Sequence, residues 1–586
     1  MIKKLINKGK KVFSNIQVNY LKYMDLPVDD KLVLVEGGQG TNINGNMFSM
    51  LNEINSNPRW ADYKTVFVVT DDTKQAAEKR MKFYGFDRVI ISVRNSSAYC
   101  KYLATAKYLM TDNSFPPYFI KREEQVFLNT WHGTPLKTLG KSDKSNNASL
   151  ANIQKNYLMS DYALFPNEFT RKVFMEDYDL KYIFSNKSLI ANYPRNYIFY
   201  DKAQSAKMKE ALGYGDKKLF AYMPTWRGTG RTADTEIQLR NTKEILDKID
   251  MKLDDDTVLL VNLHFLLASA IDCTKYKHID YFTGNYDTYE VLNACDGLIT
   301  DYSSVFFDFA VTGKKIILYA YDKRNYLATR GVYIPFESLP FPILETADEV
   351  VAEMKKGVEP YDDFIREYCP NGSKDSCEKL FEMMVNGESD TYKLEQNHYA
   401  DKPLCLLYAG RLSASHYRNI RHYIEENPEY NYSLVYRRNL NQKKKEFLYS
   451  LGDNVTTLGT ITAFQFTFKE LLTFYFKGRR MKENDLMTAM YKREANRLLH
   501  AIHPQRIVDF VCGTPVFAGM FAQMSGDKYY INHGEFFTDS KKSFKRTNDI
   551  KAYESRHGFK AVEYGAVEDE LFLNEENEKH LADQSF

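Results

Sequence analysis

Short apolar runs that alternate with helical periodicity constrain this chain more than any other feature. Residues 32–36 (Leu32-Val33-Leu34-Val35-Glu36) form the first such run, and residues 65–69, 88–92 and 108–110 follow, with a helical pattern over 47–53 between the first two. Strands that take turns with helices build a parallel sheet covered on both faces. A second series runs through residues 219–223, 258–263, 278–281, 297–299 and 315–319. A third, from 404–408 through 506–511 to 528–532, encloses a basic helical insert at about 464–500 that contains Lys477-Gly478-Arg479-Arg480. At 586 residues the chain is too long for one core. The expected division is a basic amphipathic helix over 1–28, Rossmann-like units over 29–195 and 196–385, a linker near Gly387, Ser389 and Asp390, and a third Rossmann-like unit over 386–586.

The chemistry concentrates in Leu298-Ile299-Thr300-Asp301-Tyr302-Ser303-Ser304-Val305-Phe306-Phe307-Asp308-Phe309-Ala310. It reads as a buried strand running into a helix, with one carboxylate and two hydroxyls at the corner. Unpaired N–H groups and the positive end of the helix dipole then face Ser303 and Ser304, and a phosphate suits that corner. Helix capping by Asp301 or Ser303 is the structural alternative. Upstream lie Asn129-Thr130-Trp131-His132-Gly133-Thr134-Pro135-Leu136-Lys137, Ala191-Asn192-Tyr193-Pro194-Arg195-Asn196 and Met223-Pro224-Thr225-Trp226-Arg227-Gly228. Downstream lie Tyr321-Asp322-Lys323 and Arg330-Gly331-Val332-Tyr333. The loop 37–46 is glycine-rich without the G-x-G-x-x-G spacing; it either lines the acceptor side or is a structural turn.

This ordered set, over roughly residues 30–385, resembles the CDP-glycerol glycerophosphotransferase family, the teichoic acid primases and polymerases of Gram-positive bacteria. The resemblance implies α/β architecture with two Rossmann-like domains facing a cleft (GT-B type), to which the third Rossmann-like domain is added. It also implies transfer of glycerol phosphate or ribitol phosphate from CDP-glycerol or CDP-ribitol to a hydroxyl of a lipid-linked acceptor, with release of CMP. In that reaction His132, at a strand end, is the expected general base, since an imidazole near pKa 6.5 accepts a proton at neutral pH. His264 is expected to donate to the pyrophosphate as CMP departs, a core histidine being the alternative. Ser303 and Ser304 hold the pyrophosphate, Asp301 fixes the loop or binds a polyol hydroxyl, and Lys137 adds positive potential. Arg195 and Arg227 grip phosphate bidentately. The family usually has His-Pro where this chain has His264-Phe265, and often Asp where it has Tyr197. No carboxylate cluster of the kind that holds Mg²⁺ is evident, so neither a cofactor nor a tightly bound metal is expected. The third region resembles the N-terminal half of a retaining, family-4-type glycosyltransferase and reads as an accessory, acceptor-handling unit.

Charge and composition narrow the alternatives. Lys and Arg number 79 against 77 Asp and Glu, a net charge of +2 that argues against nucleic acid as a partner. The seven cysteines show no C-x-x-C pair and read as reduced thiols in a cytosolic compartment. No apolar stretch is long enough to span a bilayer. At the N-terminus Ile2, Leu5, Ile6, Val12, Phe13, Ile16 and Tyr20 recur at helical spacing among Lys3, Lys4, Lys8, Lys10, Lys11 and Lys22. Such a helix suits an anionic membrane surface and places the protein peripherally on the cytoplasmic face; an ordinary helix packed on the body is the alternative. A GT-B nucleotide-sugar glycosyltransferase is the competing enzyme class, and a non-catalytic scaffold the third reading. Self-association as a homo-oligomer is left open.

Overall fold

The computed structural model describes residues 16–143, 150–227, 232–282, 284–329, 331–396, 401–410, 412, 416–437, 441–460, 464–482, 484–533 and 541–564. Three parallel sheets organise these residues. The first comprises β1 (Asp29–Glu36), β2 (Lys64–Val69), β3 (Val89–Val93), β4 (Ala106–Thr111), β5 (Val126–Asn129), β6 (Tyr162–Phe165) and β7 (Lys187–Ile190), in spatial order 3-2-1-4-5-6-7. The second comprises β8 (Lys218–Met223), β9 (Thr257–Val261), β10 (Ile279–Tyr281), β11 (Gly297–Thr300), β12 (Lys315–Tyr319) and β13 (Ile343–Leu344), in order 10-9-8-11-12-13. The third comprises β14 (Leu404–Gly410), β15 (Asn431–Arg437), β16 (Val455–Thr460), β17 (Arg506–Asp509), β18 (Asp527–His533) and β19 (Lys560–Tyr564), in order 16-15-14-17-18-19. The chain is therefore α/β, and each sheet reverses direction beside its first strand, where the carboxyl ends leave a crevice for ligands. Central strands such as β1 and β11 are buried on both faces, which is why they read as unbroken apolar runs.

The helix α1 (Ile16–Leu21) corrects part of the N-terminal expectation. Tyr20 is fully buried, its hydroxyl donating to the Ile120 carbonyl at 2.9 Å, so it belongs to the core of the first sheet and not to a lipid-facing stripe. The rest of the expected amphipathic helix, residues 1–15, lies outside the described residues. Among the described residues no helix is long and apolar enough to cross a membrane.

α2 (Gly45–Ser56) follows the glycine-rich loop and buries Met47, Phe48, Met50, Leu51 and Ile54 against the first sheet. The short α3 (Val305–Phe309) follows β11. α4 (Ser376–Asn386), at the end of the second series, crosses back and packs Leu380, Phe381 and Met384 among Trp60, Tyr63 and Val33. The segment expected as a linker is held in place as well. Glu395 exchanges backbone hydrogen bonds with Ser188 and pairs its carboxylate with Arg171.

The third sheet packs on the first as one core. Trp131, Tyr157, Phe174 and Tyr178 share an apolar cluster with Leu406, Tyr491 and Phe517. Asp179 accepts from the Thr457 hydroxyl at 2.5 Å, and the fully buried Arg497 pairs with Glu494 while donating to the Pro117 carbonyl at 3.1 Å. The helical insert becomes α5 (Phe468–Phe476) and α6 (Asp485–Leu499), and Arg497 lies on the second of these.

Candidate active site

The loop after β5 is built to present His132. Trp131 adopts φ +54°, a left-handed conformation that costs a bulky residue energy unless its surroundings impose it. They do. The Trp131 N–H donates to Asn129 Oδ1 at 3.1 Å, and its carbonyl accepts from Asn46 Nδ2 at 2.9 Å. Asn46 is buried in the first turn of α2, and its Oδ1 also accepts from the Arg195 N–H at 3.4 Å. The indole packs edge-on against Phe174, 5.0 Å away, and the His132 ring stacks on the indole at 4.0 Å.

His132 Nδ1 lies 2.8 Å from the Asp112 carbonyl oxygen, which can only accept. Nδ1 therefore carries the proton, and Nε2 keeps its lone pair for chemistry. Asp112 is held in turn by the Gly38 N–H, which donates to its carboxylate at 2.7 Å, and burial pushes that carboxyl up to about 6. His132 is solvent-exposed as a residue, with its ring stacked on Trp131. Burial, reinforced by the Arg195 charge, pulls the imidazole pKa down from 6.5 to about 4, against the opposing bond to Asp112.

The next residue reaches the second sheet. A Cβ on Gly133 would lie 2.6 Å from Ser304 Oγ and 3.3 Å from its Cβ, so a larger residue would force Ser304 to shift where the His132 loop meets the start of α3. The Gly133 N–H donates to the Tyr193 hydroxyl at 3.1 Å. Beyond it, residues 136–138 pair antiparallel with 331–333, with Thr138 N–H to Gly331 carbonyl at 3.0 Å and Tyr333 N–H to Leu136 carbonyl at 2.9 Å. Gly133→Ala is therefore expected to cost about 1–3 kcal/mol of stability and to slow turnover about tenfold. Thermal melting and the turnover rate would check it, and a variant with parental values on both would refute the contact.

Asp301 and the two serines sit at the carboxyl end of β11, across the crevice from the end of β8. Asp301 is buried and accepts from the Thr225 N–H at 2.8 Å, the Tyr302 N–H at 2.6 Å and Arg227 Nη1 at 2.7 Å. It ties the two loops together. Ser304, the residue preceding α3, makes no side-chain capping bond, and Ser303 Oγ is 3.5 Å from the Val305 N–H. Ser303 Oγ thus accepts a long bond at the helix start, and the Ser304 hydroxyl makes no capping bond.

The two arginines depart from the expected phosphate grip. Arg195 is buried, with Nη2 on Asp308 Oδ2 at 2.6 Å and the guanidinium over the Tyr193 and Tyr289 rings at 4.8 and 5.0 Å. Arg227 spends its fork on Asp322, at 2.5 Å through Nε and 3.0 Å through Nη2, and lies within 5.8 Å of the Tyr302, Tyr321 and Tyr326 rings. Both act as struts with a positive field, Arg195 buried and Arg227 half-buried, each paired with a carboxylate that offsets its desolvation. Arg195 Nε and Thr225 Oγ1 remain buried with no protein partner. Lys137 Nζ stands 5.6 Å over the Tyr326 ring, beside the Arg227 cage. His264 stacks on Trp226 at 4.4 Å, and burial lowers its pKa.

Asn46, Asp112, Tyr193, Asp308 and Asp322 support these groups and were not singled out from the sequence as functional. Only Asp308 and Asp322 carried a signal, as acids inside apolar or aromatic runs. Among the described residues one group of side chains suits a metal, Asp509, Cys512 and Glu554, with ligand atoms within 4.8 Å of one another. Asp509 ends β17 and Glu554 lies on the helix Lys541–Arg556, in the third unit.

The profile of the CDP-Glycerol:Poly(glycerophosphate) glycerophosphotransferase family matches residues 18–384. The chain belongs to this family. A teichoic acid poly(glycerol phosphate) polymerase of Bacillus spizizenii is 30% identical over 378 residues, 61% of this chain and 93% of that one. A teichoic acid poly(ribitol-phosphate) polymerase of the same organism is 25% identical over 51% of this chain and 49% of its own length. A longer Staphylococcus epidermidis poly(glycerol phosphate) polymerase, 30% identical, is matched over 38% of its length. The wall teichoic acid polymerase TagF shares the fold over 66% of this chain and 97% of its own, with TM-score 0.53 and 23% identity. As a glycerophosphotransferase family member this chain is a transferase, and its third unit lies beyond the family match.

Proposed function

We propose that this glycerophosphotransferase moves glycerol phosphate or ribitol phosphate from a CDP-alditol to a hydroxyl of a membrane-linked acceptor in teichoic acid or capsule-type polymer synthesis. Residues 29–195 serve the acceptor side and 196–385 the CDP-alditol side, in the GT-B manner, with 386–586 as an accessory unit. The acceptor oxygen attacks the alditol-bearing phosphorus and its proton passes to His132 Nε2. The bond from that phosphorus to the bridging oxygen breaks, and its electron pair leaves with CMP. Ser303, Ser304 and His264 donate to the pyrophosphate, with Lys137, Arg195 and Arg227 supplying field and Asp301 holding the loops. The protein works peripherally at the cytoplasmic face of the membrane.

The observation that carries this reading is the His132 tautomer, set by the Asp112 carbonyl one residue from the Gly133–Ser304 contact. CMP release is the test, with CDP-glycerol and CDP-ribitol offered separately beside a lipid-linked acceptor analogue. Release from one donor names the alditol. Silence with both donors, together with hydrolysis of a nucleotide sugar, would replace this reading with a glycosyltransferase.

A further inference from the structure

Helix α5 is amphipathic in the wrong sense for a helix packed on a protein. Phe468, Leu471, Leu472, Tyr475 and Phe476 recur at the spacing that places them on one face. That face points outward, with Phe468 36%, Tyr475 48% and Phe476 65% exposed and both leucines half-buried. The inward face carries the helix's one acid. Glu470 is buried and takes a two-armed ion pair from Arg493 at 2.7 and 2.8 Å, so its charge is neutralised inside. Phe474 packs on Phe466 at 5.2 Å and completes that inner face. Lys469 on the helix and Lys477, Arg480 and Lys482 just after it are exposed, and at the start of α6 Leu486 is 36% exposed next to the exposed Asp485.

An outward stripe of aromatic and aliphatic side chains costs free energy in water. Ringed by lysine and arginine, it has the composition of an interfacial helix, with rings in the headgroup layer and cations on anionic lipid. We propose that the outer face of α5 is a membrane-docking surface that seats on an anionic bilayer. The inference extends the peripheral placement proposed above but not the transfer chemistry. Through this surface the third unit holds the site against the membrane that carries the acceptor.

The test is co-sedimentation of the full chain with phosphatidylglycerol–phosphatidylethanolamine vesicles, and with phosphatidylcholine vesicles, in the absence of donor. Wild-type protein should bind the anionic vesicles and release them as salt rises. The double variant Tyr475→Glu, Phe476→Glu should weaken that binding at least about tenfold. Thermal melting and CMP release with a soluble acceptor analogue should stay at parental values, which separates this surface from the catalytic proposal. Lys477→Glu with Lys482→Glu should weaken binding to the anionic vesicles and leave phosphatidylcholine unchanged. Full vesicle binding by the aromatic variant would overturn the inference. So would absence of wild-type binding, or a dimer in solution that the aromatic variant dissolves.

Discussion

His132→Ala should lower CMP release about 10²–10⁴-fold, the range a positioned general base contributes, with little change in melting temperature because the ring stands exposed at the junction. His132→Gln keeps a group able to bond the Asp112 carbonyl but offers no basic nitrogen, so it should be equally slow. A Gln variant within tenfold of the parent would remove His132 from proton transfer and leave it a positioning role. The pH profile supplies a second check. The imidazole pKa is lowered, so the base stays unprotonated at pH values where an ordinary histidine is already half charged. The rate with saturating acceptor should therefore hold level from pH 8 to about 6 and fall only in more acid solution. A limb centred at 6.5 or higher would show that neither burial nor Arg195 governs this ring.

Asp308→Ala should destabilise the protein by about 3–5 kcal/mol, because it leaves Arg195 as a buried charge with no counter-ion. Asp308 is buried, and besides Arg195 it accepts from Asn196 Nδ2 at 3.1 Å and the Tyr289 hydroxyl at 2.9 Å. Those partners tie the 194–200 turn, the helix Thr288–Ala294 and α3 to one another, so the loss spreads over the whole junction. Asp308→Asn keeps a carbonyl to accept one of these bonds and should lose less. Denaturant unfolding measures both variants. An alanine variant within about 1 kcal/mol of the parent would mean that water or another acceptor compensates Arg195.

The alternation of apolar runs and helical stretches was enough to read α/β architecture and the series of strands, because a parallel strand buried on both faces is written as a continuous apolar segment. β6, β7, β13, β15, β16 and β19 escaped this reading. A strand such as Tyr-Ala-Leu-Phe at 162–165 is too short for its period to be told from a buried helical turn, and β16 (Val-Thr-Thr-Leu-Gly-Thr) is not an apolar run at all. Motif order singled out His132, Asp301 and the serine pair, since those side chains stand where strands end and a strand end is a local event. The fate of each cation was not local. Arg195 and Arg227 look alike in sequence to a phosphate grip, yet each is spent on an acid far along the chain, Asp308 and Asp322, that only folding brings into reach. The same holds for the tautomer of His132, decided by a carbonyl twenty residues upstream, and for Tyr20, drawn into the core by the Ile120 carbonyl. Sequence by itself determined the architecture and the reaction family; tertiary structure decided which charges remain available, because burial obliges each ion to find a partner and the chain does not announce which one it will be.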